Sequence, residues 1–378
     1  MNIKESIQLC ASDIHEISEV IHANPELGFQ ERQACEWQTN FLRKHGFEIV
    51  TPYGSLETAY RAEYGSGTPV FAILSEYDAL PSGHACGHNL ICSAALAAAV
   101  AVKKAMEQAT IHGQIVIIGT PAEETHGGKI IMLNNGAFAD VEAFILCHPH
   151  SVNALDPGDL AVSRFDVEFI GKAAHAAAAP YSGINALDAV NLLFAGIACW
   201  RQQLPPSGMV HGIITDGGDA PNIIPEHTSA FFYLRSRDNK TQQELEQRFS
   251  DIARGAALMT GTALKLTQAP NSYSADKFNQ PLRADVFKTM QELGLNPLEK
   301  YESAISTDYA NVSQVIPGVN FFFNIMENGS AALHSEAFKA AAATDYAFAA
   351  SMKAAEVMAK TALRFFSDPD FRQDVCAP

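Results

Sequence analysis

Two strand-length runs without a charged side chain, Pro69-Val-Phe-Ala-Ile-Leu74 and Gln114-Ile-Val-Ile-Ile-Gly119, constrain the fold of this chain more than any other feature. A strand that is apolar on both faces must be covered on both, which is the situation of a strand inside a parallel sheet. Between the runs, Ile91 to Gln108 has the length and residue types of a helix. Strand, helix, strand in this order predicts α/β layering with a mainly parallel sheet. The apolar part of that helix, Ile91 to Val102, stops at Lys103 and Lys104 and is dominated by alanine. It is short for a bilayer and suits a close-packed interior helix, so no membrane segment is expected.

From about Asp159 the pattern changes to alternation, with Arg164, Asp166 and Glu168 set between Phe165, Val167 and Phe169. That is the pattern of a half-exposed strand. Helices over 185–203 and 242–259 and strands near 209–215, 228–237 and 262–267 complete a compact α+β insert. After Asn271 the chain returns to a helix near Pro281 to Leu293, the apolar run Gly318 to Ile325, and a long alanine-rich helix over roughly 340–366. The expected architecture is a discontinuous catalytic domain, 1–160 and 272–378, interrupted by a smaller domain, 161–271.

At 378 residues the chain can bury a sizeable core, and its formal charge of −16 repels nucleic-acid phosphates and anionic membranes. A small molecule is the expected partner. Seven cysteines without paired spacing point to a reducing compartment, and the N-terminal residues lack the apolar core of a signal peptide, so a cytoplasmic location is expected.

The chemistry-bearing residues cluster where strands end. Ser82-Gly-His-Ala-Cys86-Gly-His88-Asn89 follows the first apolar strand, in the position where open α/β sheets place their sites. Thiolate and imidazole are ligands for zinc or a similar ion, although a buried cysteine and a core histidine have the same sequence appearance. Glu123 and Glu124 follow the second strand, where one carboxylate can bind metal and the other move protons, or both can face water. His148 follows the apolar run Phe144 to Cys147, with His150 competing for its role, and His334 stands near the end of the chain.

The segments His22-Ala-Asn-Pro-Glu-Leu-Gly28, Glu76-Tyr-Asp-Ala-Leu-Pro81, Gly83-His-Ala-Cys-Gly-His-Asn89, Thr120-Pro-Ala-Glu-Glu124, Gly171-Lys-Ala-Ala-His175 and Pro221-Asn-Ile-Ile-Pro225 resemble the M20 metallopeptidase family. They are closest to its amidohydrolase branch, with aminobenzoyl-glutamate hydrolases, auxin-conjugate hydrolases and β-alanyl-lysine dipeptidase-like proteins. The resemblance implies a zinc-peptidase-like three-layer α/β catalytic domain with an inserted α+β lid and dimerisation domain. It implies two divalent ions, zinc or manganese, held by Cys86, His88, Glu124, His148 and His334, with Cys86 bridging and Glu123 as general base and acid. Many family members begin this ligand set with His-x-Asp; here the segment reads Glu76-Tyr77-Asp78, and Asp78 is expected behind a ligand, orienting a histidine.

The same resemblance assigns His175 as an oxyanion donor reaching across to the partner in a homodimer, and Asn222 as a substrate-shaping residue. Arg235, on an alternating strand, can bind a carboxylate through two parallel hydrogen bonds. The expected activity is hydrolysis of an N-acyl amino acid or a small dipeptide-like amide. Two other readings make Cys86 a nucleophile or the protein a catalytically silent binder.

Overall fold

The structure, a computed structural model, describes residues 2–377. The chain divides into two compact units, one of Met1–Pro157, Lys277–Ser303 and Thr307–Pro378, the other of Gly158–Asp276 and Ala304–Ser306.

The first unit is built on a seven-stranded sheet. Its order is Glu48–Val50, Tyr60–Ser66, Gly113–Gly119, Val70–Ser75, Ala143–His150, Gly318–Asn324 and Ala154–Leu155. The four middle strands run parallel, whereas the flanking ones pair antiparallel. The sheet is therefore mixed rather than mainly parallel: among the described residues only Glu48–Val50 and Tyr60–Ser66 are antiparallel neighbours consecutive in the chain, while the other antiparallel pairs join strands distant in sequence.

Period-two alternation gives each middle strand two buried faces. Phe71 and Ile73 pack with the helices His88–Ala109 and Asp345–Ser367, while Val70, Ala72 and Leu74 pack on the other side with Met132, Phe138 and Tyr309. The result is three layers, helix, sheet, helix. The helix His88–Ala109 is longer than the apolar run that marks it in sequence, and by length and composition it could cross a bilayer. Instead 83% of its most apolar window is buried inside the protein. Alanine on nearly every face lets neighbouring elements approach this helix from all sides.

The long helix expected over 340–366 is two helices, Glu336–Ala341 and Asp345–Ser367. Thr344 breaks it: its backbone is extended and its side chain accepts from the Ala347 N–H, which caps the second helix.

The second unit has a four-stranded antiparallel sheet ordered Ala263–Gln268, Ala161–Ile170, His227–Ser236 and Met209–Asp216. Phe165, Val167, Phe169, Phe232 and Leu234 turn to one side, against the helices Ala186–Trp200 and Asn239–Thr260. Residues 304–306 join it through the Leu160 N–H, which donates to the Ile305 carbonyl at 2.8 Å.

Candidate metal centre

Each candidate ligand of the first unit is delivered by the end of a sheet strand or the loop after it. Val70–Ser75 runs into Glu76 and Asp78, Gly113–Gly119 into Glu123 and Glu124, and Ala143–His150 itself carries His148. The loop holding Cys86 turns into its helix at Gly87, which has φ 77°. A Cβ there would lie 2.8 Å from Pro149 Cγ, so only glycine lets this loop press against the strand of His148. His334 comes from the loop after Gly318–Asn324. Its backbone is left-handed, φ 66°, and its N–H donates to the Ala85 carbonyl at 3.0 Å.

These placements bring six residues together. Donor atoms of Cys86, His88 and His148 lie within 4.8 Å of one another, as do those of Cys86, Glu124 and His334, and those of His88, Glu123 and Glu124. His334 Nε2 is 3.0 Å from Cys86 Sγ and 3.6 Å from Glu124 Oε2. His88 Nε2 is 3.8 Å from Glu124 Oε1. Asp78 takes His88 Nδ1 at 3.1 Å, and the Pro149 carbonyl takes His148 Nδ1 at 2.7 Å. Both rings thus turn Nε2 toward the cluster, with the outer nitrogen fixed as in metal-binding histidines.

The inward atoms lack ordinary partners. His88 Nε2 and Glu124 Oε1 are buried and make no hydrogen bond, which costs roughly 1–3 kcal/mol per group. The charges also conflict. Burial and the adjacent Glu76 and Glu124 push Glu123 well above the carboxylate range, and burial with Glu124 and Glu123 pushes the Cys86 thiol well up. Burial disfavours the protonated form of His88, but Asp78, Glu124 and Glu76 more than offset it and raise His88 to about 10. Burial and the charge of His88 lower His148 to about 4. Thiol, imidazole and carboxylate converging with unsatisfied lone pairs fit a divalent cation of the zinc or manganese type, whose binding would displace protons from the cluster.

His84 is not in the cluster. It is 2% exposed and its ring stacks on His22 at 6.1 Å, so of the two histidines that flank Cys86 this one is a packing residue. His150 turns aside to the Tyr301 hydroxyl at 3.1 Å and stacks on Phe322.

Residues that the motifs did not single out surround the cluster. Lys129, fully buried, lies 2.6 Å from both Glu76 Oε1 and Asp308 Oδ1. The first contact is an ion pair without hydrogen-bond alignment, the second an aligned hydrogen bond. Burial weakens the charge on Lys129, but Asp308, Glu76 and Glu123 outweigh this and keep it protonated. A lysine set in the apolar sequence Gly127-Gly-Lys-Ile-Ile-Met132 was the available signal, because a charged residue on a buried helix start needs a buried partner.

His175, Asn222 and Arg235 belong to the second unit. His175 is exposed, and its Nδ1 accepts the N–H groups of Ala177 and Ala178 at 3.2 and 3.1 Å. Asn222 is exposed, with its carbonyl taken by the Ala176 N–H. Arg235 is half-buried, donates to Ser306 Oγ at 3.0 Å and lies over the Tyr233 ring. Burial and the nearby Arg164 lower its pKa.

A layered α/β sheet with such a donor set at its strand ends is a candidate metal centre, and similarity to known proteins gives its class as a hydrolase. The chain belongs to peptidase family M20/M25/M40, whose model matches residues 72–363. It is 36% identical over 391 residues to the Xaa-Arg dipeptidase of Mus musculus, covering 98% of this chain and 90% of that protein. It is 33% identical over 314 residues to a p-aminobenzoyl-glutamate hydrolase chain of Escherichia coli, covering 77% of this chain and 65% of that one. The fold is shared with a solved Bacillus subtilis protein described as a dinuclear metal binding peptidase from the M20 family, with TM-score 0.71, 21% identity, and 93% and 99% of the two chains covered.

Proposed function

We propose that the protein is a metal-dependent hydrolase of a small amide, an N-acyl amino acid or dipeptide, with a dipeptide ending in a basic residue as the first substrate to try. The observation that carries the reading is the convergence of Cys86, His88, Glu123, Glu124, His148 and His334 around buried, unsatisfied donor atoms. The preference for a basic end is supported by the similarity to the mouse Xaa-Arg dipeptidase over almost the whole chain.

Cys86 belongs to two donor groupings, one with His88 and His148, the other with Glu124 and His334. That sharing supports a pair of divalent ions, zinc or manganese, which Cys86, His88, Glu124, His148 and His334 would hold. When bound, they would supply Lewis acidity for activating water and polarising the amide carbonyl. Glu123 is the proton carrier: its buried carboxylate, within reach of His88 and Glu124, would take the proton from the attacking water and deliver it to the leaving amine. Asp78 fixes the ring of His88. In the second unit, Arg235 is the anchor for a substrate carboxylate, Asn222 shapes the substrate, and His175 is the oxyanion donor, acting in a homodimer as the family resemblance implies. A cysteine nucleophile gains no support, since burial and the carboxylates near Cys86 disfavour its thiolate.

The test is turnover of a panel of Xaa-Arg and Xaa-Lys dipeptides, N-acyl amino acids and aminobenzoyl-glutamate by the metal-loaded protein. Chelation should abolish turnover and added zinc or manganese restore it, whereas a thiol enzyme would survive chelation. Glu123→Ala should lower kcat by roughly 10²–10⁴-fold with metal content unchanged. Full activity in that folded, metal-loaded variant would remove the assigned role.

A further inference from the structure

The peptide backbone on either side of Glu123 is gripped by two buried carboxylates. The Ala122 N–H donates to Glu31 Oε1 at 2.8 Å, and the Glu124 N–H donates to Asp78 Oδ2 at 2.9 Å. Ala122 has φ 60°, the left-handed region, which costs a non-glycine residue about 1 kcal/mol or more and persists only where the surroundings enforce it. The strained residue therefore directly precedes the proposed proton carrier.

Glu31 is placed unusually. It is the N-cap residue of the helix Arg32–Lys44, a position where a side-chain oxygen normally accepts an N–H of its own helix, yet its carboxylate makes no such bond. Instead it is fully buried and reaches a residue 91 positions along the chain. Its second oxygen accepts from Thr58 Oγ1 at 2.9 Å, and the Thr58 carbonyl in turn takes the Tyr77 hydroxyl at 2.6 Å. Tyr77 precedes Asp78, so the two carboxylates that hold the Glu123 backbone are themselves tied together. Burial and the charge of Asp78 raise the pKa of Glu31 to about 7, an unfavourable environment for a carboxylate that served only to fill space.

The chain makes room for this arrangement at Gly28. A Cβ there would lie 3.0 Å from Ala122 Cβ, 3.1 Å from Ala122 Cα and 3.1 Å from Thr125 Oγ1. Glycine at position 28 and the carboxylate at position 31 therefore set the same loop from two sides.

We propose that Glu31 is a positioning residue for Glu123: its buried carboxylate holds the left-handed Ala122 peptide and so aims the side chain that moves the proton. The inference rests on the reading of Glu123 given above. It makes no demand on the ligand set, because Glu31 touches none of the six clustered residues in the bonds described.

Steady-state kinetics, metal content and thermal unfolding of Glu31→Ala, Glu31→Gln and Gly28→Ala test it, with Glu123→Ala in the same series. A lost hydrogen bond to a charged group corresponds to roughly a 10- to 150-fold change, so Glu31→Ala should lose kcat by that factor. Its KM should stay within about threefold and its metal content should match the parent, because what is lost is aim rather than binding. Glu31→Gln retains an oxygen that can accept the Ala122 N–H and should recover most of the activity. Gly28→Ala should lose kcat like Glu31→Ala, with the carboxylate still present.

The role is overturned if folded, metal-loaded Glu31→Ala keeps its kcat, if Glu31→Gln is as poor as Glu31→Ala, or if metal content falls together with kcat. Should Glu31→Ala fail to fold, the contrast between an active Glu31→Gln and an impaired Gly28→Ala decides the matter by itself. The two readings fail separately. Activity persisting in Glu123→Ala removes the proton carrier, whereas activity persisting in Glu31→Ala with Glu123→Ala inactive removes only the positioning role.

Discussion

Each unit of the protein contains a lysine 2.6 Å from a glutamate, and the two pairs differ in nearly everything except that distance. In the first unit Lys129 meets Glu76 and Asp308 with side chains that are 0%, 1% and 0% exposed. In the second, Lys265 meets Glu168 with side chains 62% and 30% exposed, and Glu168 also faces His227, whose other nitrogen faces Asp216. Water screens the second network, and such pairs contribute little. The first cannot be hydrated, so removing one partner leaves a bare charge in the core. The buried network also lies beside Glu123 and His88: burial is the largest influence on each, and Glu76 adds to the raised pKa of both. A short ion-pair distance is therefore no guide to its importance; burial decides that.

The contrast is sharpest for Lys129→Met, which strands Glu76 and Asp308 and should destabilise the protein by about 3–5 kcal/mol in chemical denaturation. A loss below about 1 kcal/mol would break the comparison. Lys265→Met should leave the denaturation midpoint unchanged within error.

Arg235 falls between these extremes, half-buried on Ser306 and Tyr233. If it anchors a substrate carboxylate, Arg235→Lys loses the two-pronged geometry while keeping the charge, and kcat/KM should fall roughly 10- to 100-fold, mostly through KM. An unchanged KM would return Arg235 to a structural role.

The smallest effect is expected at His227. Hydrogen bonds to Asp216 and then Glu168 raise its pKa, so its contribution is fully present below the ordinary histidine value and is lost as pH rises through the raised one. The thermal midpoint of His227→Gln should lie slightly below the parent at acidic pH and converge with it in alkaline buffer. A gap that widens with pH would contradict the sign.

Much of the fold was legible because it depends on local pattern. The apolar runs at 69–74 and 114–119 have the length of interior strands and are such strands, and the alternation from Arg164 to Glu168 marked the half-exposed sheet of the second unit. The break at Thr344 was hidden inside continuous helix-forming residues, since one capping hydroxyl was enough to end the run. The antiparallel flanks were hidden because strand direction is set by connection and pairing, not by composition.

The candidate site divides in the same way. Sequence alone supplied the donor types, Cys86, His88, Glu123, Glu124, His148 and His334, because thiolate, imidazole and carboxylate at strand ends are visible one residue at a time. The tertiary structure added where each of them points, with His150 turned aside to Tyr301 and His84 packed on His22, and it revealed Lys129, Asp308 and Glu31 as buried partners. The physical reason is that a ligand's chemistry belongs to its own side chain, whereas its aim, charge state and support come from residues far along the chain that the fold brings into contact.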